Sequence, residues 1–353
     1  INVKLPLNAT LSTMDIELGE SQLALNNIVV DLIGNAMISE NEDVVVDLRI
    51  NTNTLIVEEI IDLIPESMKE DLLDGMDVGG ELKLAANVKG LYNANSIPAV
   101  NAEIQYENGT FSMPEMLPYP LTNMNTSLDV DLNLNDKSDI NVKYLKADMS
   151  NSNIYLSGTV KDVMDKMYCN INLKANADID ELQDFIPEGI DAHGKVTLKL
   201  AAAVDNEQIT SMNLMDSKIN AELQWKDMNL VYFDTISAIA DHIDVKLSLP
   251  NTSSEELTNS LAALNISGTS LDARVSDMIV AALKDYKIDA QISNVLSETE
   301  AVSVYADYDL SRLDFNLDDI NLFINNPSGS LAMFAENDSD DASYIAVYSG
   351  DSL

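Results

Sequence analysis

Apolar and polar residues alternate strictly over long stretches of this 353-residue chain. Leu128, Val130 and Leu132 alternate with Asp129 and Asp131, and the same period of two recurs along much of the sequence. Successive side chains of a β-strand point to opposite faces of a sheet, so this period predicts strands with one apolar and one polar face. The pattern therefore favours a mainly β fold.

The charge of the chain fits such two-faced strands. There are 20 Lys and Arg against 59 Asp and Glu, a net charge of −39, although 46% of the residues are hydrophobic. Intrinsic disorder needs few apolar residues together with high charge, so it is excluded for most of the chain. The acidity excludes nucleic acid as the main partner and argues against docking on an anionic membrane. We expect the acidic residues on an outer face and the apolar residues on the other.

Similar segments recur in chain order. VNAEIQYENGTF at 100–111 resembles INAELQWKDMNL at 219–230, an offset of 219 − 100 = 119. LIVEEIIDLIPE at 55–66 resembles ADIDELQDFIPE at 177–188, an offset of 177 − 55 = 122. LKLAA at 82–86 recurs at 198–202, an offset of 198 − 82 = 116. Such offsets indicate tandem repeats of roughly 115–120 residues.

The repeats and the alternation together predict the fold. We expect an elongated, curved antiparallel sheet, groove-like or taco-like, with a few short helices. The predicted organisation is a continuous array without linkers, with a partial first repeat over 1–79, a second over 80–193, a third over 194–310, and strands of a further or truncated repeat over 311–353. Because the pattern starts and stops abruptly, we expect the chain to be a processed product or a segment of a longer one. The alternative is a set of separate β-sandwich domains.

Three short helices are predicted from local patterns. One lies near 56–64 and stops at Pro65. A second begins after Asp178, which resembles the first residue of a capping box with Glu181, and ends before Pro187. A third is predicted over 254–264, SEELTNSLAAL.

Catalytic motifs are absent from the sequence, including GxSxG, HExxH, GxxxxGK[ST] and GxGxxG. We expect His193 in a loop and His242 at the start of a strand, both as surface side chains, and Cys169 as a buried, inert thiol. The acidic segment 336–341 lacks the glycine and the distal Glu of an EF-hand, so we expect a solvated turn. The prediction is a protein without enzyme activity, metal or cofactor. A glycan hydrolase acting through paired carboxylates is the least favoured alternative.

The apolar face is the candidate functional surface, because a one-sided sheet must cover that face with a second sheet, with helices or by curling into a trough. The predicted helices are too few and too short to cover it. Ala102, Ala221 and Ala290 leave room for an acyl chain, although they also suit close packing of two sheets. The candidate groove-lining residues are Leu82, Leu84, Val100, Ala102, Ile104, Leu128, Val130, Leu132, Leu134, Ile171, Leu173, Leu198, Leu200, Ile219, Ala221, Leu223, Ile243, Val245 and Leu247.

The segment from Gly80 to Pro187 resembles the AsmA-like proteins of the Gram-negative envelope. The resemblance lies in GELKLAANV, PAVNAEIQYENGTFSMPEMLPYPLTNMNTSLDVDL, SNIYLSGTVKDVM and NINLKANADIDELQDFIP. It covers about one and a half of the predicted repeats and weakens from about residue 295. These motifs are structural and include no catalytic residue.

The resemblance implies a periplasmic module of outer-membrane biogenesis, related to the repeating β-groove, bridge-like lipid transfer proteins. Such proteins are held in the inner membrane by an N-terminal helix, for which this sequence has no counterpart, and carry phospholipid along a hydrophobic groove. The implied partners are phospholipid or another acyl lipid, the membrane through a segment outside this sequence, and envelope proteins. The alternative is a structural or adhesive β-sandwich repeat protein with a sealed core.

Overall fold

The chain folds as an open antiparallel sheet. The structure is a computed structural model that describes residues 2–10, 14–39, 43–133, 138–210, 217–249, 260–275, 279–293, 303–317, 320–335 and 344–350. Strands make up 76% of the structure and helices 7%, which confirms the prediction of a mainly β fold. The chain divides into two compact units, Ile1–Ile171 and Asn172–Leu353.

The strands of the first unit pair antiparallel, mostly with their neighbours in sequence. β1 and β2 both pair with β3, and β5 pairs with β7. The strands are β1 Asn2–Lys4, β2 Leu7–Thr10, β3 Asp15–Leu25, β4 Ile28–Ile38, β5 Val44–Thr52, β6 Leu55–Ile56, β7 Asp77–Tyr92, β8 Ala99–Ser112, β9 Leu121–Leu132, β10 Asp139–Met149 and β11 Ser152–Lys161. β12, Tyr168–Asp178, begins in this unit and continues into the second.

The strands of the second unit are also antiparallel. They are β13 Ile190–Asp205, β14 Lys218–Tyr232, β15 Ile236–Leu249, β16 Ser260–Val275, β17 Ile279–Ser293, β18 Ser303–Leu317, β19 Ile320–Asn325, β20 Ser328–Ala335 and β21 Tyr344–Gly350. β18 pairs with β17 along its length. On its other edge β18 pairs with β19 near one end and with β20 near the other.

Short helices connect some of the strands. α1 Val57–Ile61 lies where a helix is predicted, but it stops before Pro65, and Pro65 then precedes a helix that the sequence did not predict, α2 Glu66–Leu73. Proline suits a helix start because no intrahelical donor is needed there. α3 spans Asn206–Thr210. Among the described residues, no helix is long and apolar enough to span a membrane.

Two other helix predictions have different outcomes. The predicted helix after Asp178 is a 3₁₀ helix, Ile179–Phe185, and the Asp178 carboxylate accepts a hydrogen bond from the Asp180 backbone N–H at 3.3 Å. The helix predicted over 254–264 is wrong from residue 260 onward, which is strand β16, and 254–259 lie outside the described residues. Leu264 pairs with Leu247 and Ala290 on both sides, and this pairing overrides local helix propensity.

The segments that recur in the sequence occupy corresponding elements. The two LKLAA segments lie in β7 and β13, and the segments at 100–111 and 219–230 lie in β8 and β14. The segments at 55–66 and 177–188 both contain the short helix that precedes this strand pair. The division into four successive repeats stays a prediction.

Candidate functional site

Cross-strand rows bring together the predicted apolar residues of the first unit. Leu84 of β7 pairs with Ile104 of β8, which pairs with Leu128 of β9. The next row runs through Ala86, Ala102, Val130, Ile140 and Val160. Directly paired residues share a face of the sheet, so each row is a continuous apolar band. The other candidates of this unit are half-buried at alternate positions of β7, β8, β9 and β12: Leu82, Val100, Leu132 and Ile171.

The second unit carries equivalent rows over more strands. One row crosses β13 to β18 through Leu198, Leu223, Val245, Ile266, Ile288 and Tyr308. The neighbouring row runs through Leu200, Ala221, Leu247, Leu264, Ala290 and Ala306. The remaining candidates are Leu173 in β12, Ile219 in β14 and Ile243 in β15. Leu134 lies outside the described residues.

All of the described candidates are half-buried; none is fully buried and none is fully exposed. In a β-sandwich the side chains of the two inner faces interdigitate and lose their contact with water. Fully buried apolar residues flank the rows of the second unit instead, with Leu249 and Ala262 on one side and Tyr286 and Leu310 on the other. The rows between them keep an accessible apolar surface.

The alternating positions carry the charges, as the sequence predicts. Lys199 of β13 contacts Glu222 of β14 at 3.1 Å, and Lys89 of β7 contacts Asp47 of β5 at 2.7 Å. These pairs are exposed, and exposed pairs add little to stability. The same strands therefore present a charged face and an apolar face.

The polar face of the first unit holds cavities that the sequence did not indicate. One of them, about 440 Å³, is lined by Asn87, Asn101, Glu103 and Asp131 around the small side chain of Ala85, and Ala86, Ala102 and Val130 of the apolar row also border it. Two further cavities are each about 400 Å³, and Arg49 borders all three. A small residue among longer polar neighbours on adjacent strands leaves this space, so it depends on cross-strand pairing that a single strand does not reveal.

The apolar alternation changes phase in the middle of five strands of the second unit. In β15, Ala238 and Ala240 occupy even positions, whereas Ile243 and Val245 occupy odd ones. This three-residue step adds one residue to the apolar period of each strand, and the register of the pairs from β14–β15 to β17–β18 is the same on both sides of it. The added residues form what we name the bulge line, at 226–227, 241–242, 269–270, 284–285 and 311–312.

Neighbouring strands place their added residues side by side. Lys226 pairs with His242, and Lys284 pairs with both Ser270 and Arg312. Hydrogen bonds join these positions across the strands: Ser270 Oγ donates to Asp241 at 3.0 Å, and Ser311 Oγ donates to Asp285 at 2.9 Å.

A glycine marks the bulge in the β7–β8 pair and in the β13–β14 pair. Gly80 has φ +133° and Gly194 has φ +112°, values that favour glycine. In each case an aromatic side chain of the neighbouring strand donates a hydrogen bond to the carbonyl of the residue before the glycine. Tyr106 does so at 2.6 Å and Trp225 at 2.9 Å. Tyr106 and Trp225 match at the repeat offset of 225 − 106 = 119, which is the signal that could have revealed this arrangement.

An acidic residue of the preceding helix reaches each of these bulges. Glu58 accepts a hydrogen bond from the Gly80 N–H at 3.4 Å, and Asp180 contacts His193 Nδ1. His193 Nε2 contacts Asp191 at 3.0 Å. The hydrogen bond to Asp180 and the nearby Asp191 raise the pKa of His193 above its usual value. The prediction of a loop at His193 is wrong, because the residue lies in β13 at the bulge. Gly194 interrupts the alternation of apolar and polar residues there, so the sequence does not look like a strand.

Cys169 and His242 both lie within strands. Cys169 is buried at the start of β12 as predicted, and burial raises the pKa of its thiol, which lowers its reactivity. His242 lies inside β15 and not at its start, so that prediction is wrong; its Nε2 contacts Asp244 at 2.7 Å. The apolar alternation changes phase at the bulge line, and in the sequence this change resembles the start of a strand. In the described part of the chain, no group of three or more His, Cys, Asp or Glu is placed to hold a metal. The acidic segment 336–341 lies outside that part.

Comparison with known proteins gives no identification: no family model matches the chain, and neither a curated protein nor a solved structure matches it.

Proposed function

We propose that the apolar face of the sheet binds the acyl chains of phospholipids, as a lipid-transport module of the Gram-negative cell envelope in the periplasm. The observation that carries this proposal is the set of continuous, half-buried apolar rows across β7 to β9 and across β13 to β18. The sequence resemblance to AsmA-like proteins supports the location and the class of lipid.

Binding follows from the chemistry of the rows. Each CH₂ group that moves from water onto such a surface contributes about 0.8 kcal/mol, so an acyl chain along one row is held firmly. Neighbouring rows consist of similar residues, such as Leu198, Leu223 and Val245 beside Leu200, Ala221 and Leu247. Because the rows have similar affinity for lipid, an acyl chain can move from one row to the next over small free-energy barriers. The head group stays in water with the charged residues.

Photo-crosslinking tests the face that contacts lipid. A photoreactive amino acid replaces Val130 or Leu223 on the apolar face, and matched controls carry it at the neighbouring Asp129 or Glu222 on the polar face of the same strands. Each purified chain is irradiated with phospholipid vesicles, and mass spectrometry identifies the adducts. We expect phospholipid adducts at Val130 and Leu223 at several times the yield of the controls.

Equal yields on the two faces would contradict the proposal. In that case the apolar face is closed and the chain is a structural repeat protein. Native mass spectrometry of detergent-free protein gives an independent check, since a lipid-binding face should retain co-purified phospholipid.

A further inference from the structure

Six neighbouring strands of the second unit end in a row of large apolar side chains. Direct pairing links β14 to β19 through this row, which we name the end row: Tyr232, Ile236, Val275, Ile279, Leu317 and Ile320. Tyr232 is 45% exposed, Ile236 is 43% exposed and Ile320 is 63% exposed. The end row lies beyond the bulge line, at the opposite side from the rows proposed to bind lipid.

An aromatic residue extends this surface. Phe233, in the turn between β14 and β15, is 59% exposed and packs edge to face against Tyr232, with ring centroids 4.7 Å apart. Contiguous exposed apolar side chains of this size mark interaction surfaces, and aromatic residues are enriched among the anchors of such surfaces.

The charges around the end row select the partner. Asp234 follows Phe233 in the turn, and Glu188, Asp191 and Asp272 are exposed within a few positions of the end row, where Arg274 is an exposed cation. Lys226, Lys284 and Arg312 are also exposed on these strands, but they lie farther away, on the bulge line. This acidic surround repels an anionic lipid surface and attracts a basic partner.

The length of the end row fits a helix. Five intervals between six strands, each of about 4.8 Å, give a row of about 24 Å. A helix rises 1.5 Å per residue, so about 16 helical residues match this length. A helix with apolar residues at positions i, i+3, i+4 and i+7 presents a matching apolar stripe, and basic residues on its flanks reach the surrounding carboxylates.

We propose that the end row and Phe233 form a docking site for a basic amphipathic helix of a partner protein. The helix covers the exposed apolar side chains, and its Lys or Arg side chains pair with Asp234 and the other carboxylates. This site is separate from the proposed lipid-binding rows, so either proposal can fail without the other.

A synthetic peptide tests this site on the full chain. The probe is a fluorescent 16-residue amphipathic helix made of Leu and Lys, and its affinity is measured by fluorescence anisotropy. The double variant Phe233→Ser and Ile320→Ser removes two exposed anchors, and we expect it to bind the peptide about tenfold more weakly or worse. The control variant Ile209→Ser removes an apolar side chain of similar exposure, 42%, from α3 and should bind like the parent. Because the altered side chains are exposed, the urea unfolding midpoint should stay close to that of the parent chain.

Three results would overturn the proposal. The first is unchanged affinity in the double variant. The second is equal affinity for a peptide of the same charge in which Ser replaces Leu, since charge alone would then explain binding. The third is binding of phosphatidylcholine vesicles that the parent chain shows, the double variant loses and the peptide does not compete with, which would identify a lipid surface as the occupant.

Discussion

At the scale of single residues, His193 links a strand to the 3₁₀ helix before it. Its ring contacts Asp180 of the helix and Asp191 of its own strand, and both carboxylates favour the protonated imidazole. The pKa of the folded state is therefore raised above that of the unfolded chain. The resulting stabilisation is complete below the unfolded value of about 6.5 and is lost as the pH rises through the folded value.

Replacement of this histidine should change the pH dependence of stability. We expect His193→Gln to lower the urea unfolding midpoint at about pH 5 and to have little effect at about pH 9, because only the charged ring is stabilised. Circular dichroism in urea at the two pH values measures both midpoints. Asp180→Asn should reduce the same pH dependence. A His193→Gln effect of equal size at the two pH values would show that the contacts do not depend on the charge of the ring.

Gly194, next to His193, has a backbone conformation and surroundings that leave no room for a side chain. A Cβ atom at Gly194 would lie 2.5 Å from the Lys226 carbonyl oxygen and 2.8 Å from Trp225 Nε1, at φ +112°. Gly75 also has a positive φ, +68°, but a Cβ atom there meets nothing within 4 Å.

Replacing Gly194 and Gly75 by alanine should separate the free-energy cost of a steric collision from the cost of a positive φ. We expect Gly194→Ala to lower the free energy of unfolding by about 3 kcal/mol, since strain and collision add. Gly75→Ala should lower it by about 1 kcal/mol through the left-handed conformation alone. Urea titrations give both values. Losses of similar size would contradict the close approach at Gly194.

At the scale of elements, much of the sheet could be predicted from the sequence and some of it could not. Period-two alternation correctly predicted strands with alternating apolar residues, such as Leu198 and Leu200 in β13, because alternation within a strand depends only on that strand. The prediction of the third helix failed because Leu264 pairs with residues of two other strands, and neither partner is visible in the local sequence. The cavities beside Ala85 were missed for the same reason, since they exist only between paired strands.

The bulge line shows a signal that was present and not used. In β17, Leu283 and Tyr286 are separated by three residues where strict alternation needs two or four. Asp285, with φ +43°, occupies this step. A phase change in one strand is ambiguous, since it also resembles a strand end, as at His242. The same step in five successive strands is informative, because pairing continues on both sides of it and so excludes a strand end.

At the scale of the whole molecule, net charge opposes folding. A charge of −39 on 353 residues repels itself more strongly in the compact state than in the extended unfolded chain. Ion pairs such as Lys89 with Asp47 offset little of this repulsion, because there are only 20 basic residues for 59 acidic ones.

Salt should therefore stabilise this chain. The screening length falls from about 30 Å at 0.01 M to about 8 Å at 0.15 M ionic strength. We expect the urea unfolding midpoint to rise between these conditions and then to level off. Potassium chloride and sodium chloride should act alike if screening is the cause. A midpoint that falls with salt would mean that attractive pairs, and not repulsion, dominate the electrostatic free energy.

The aligned bulges also limit how this sheet can change in evolution. Deletion of one added residue, for example Asp285, would shift the alternation of β17 on one side of the deletion by one position. Leu283 and Ala281 would then point to the opposite face of the sheet. The partner strands β16 and β18 keep their own added residues, and they would then meet the wrong face. We therefore expect single-residue insertions and deletions to lower the free energy of unfolding more when they lie inside these strands than when they lie in the turns. A change in the number of residues between two turns would then need matching changes in the neighbouring strands.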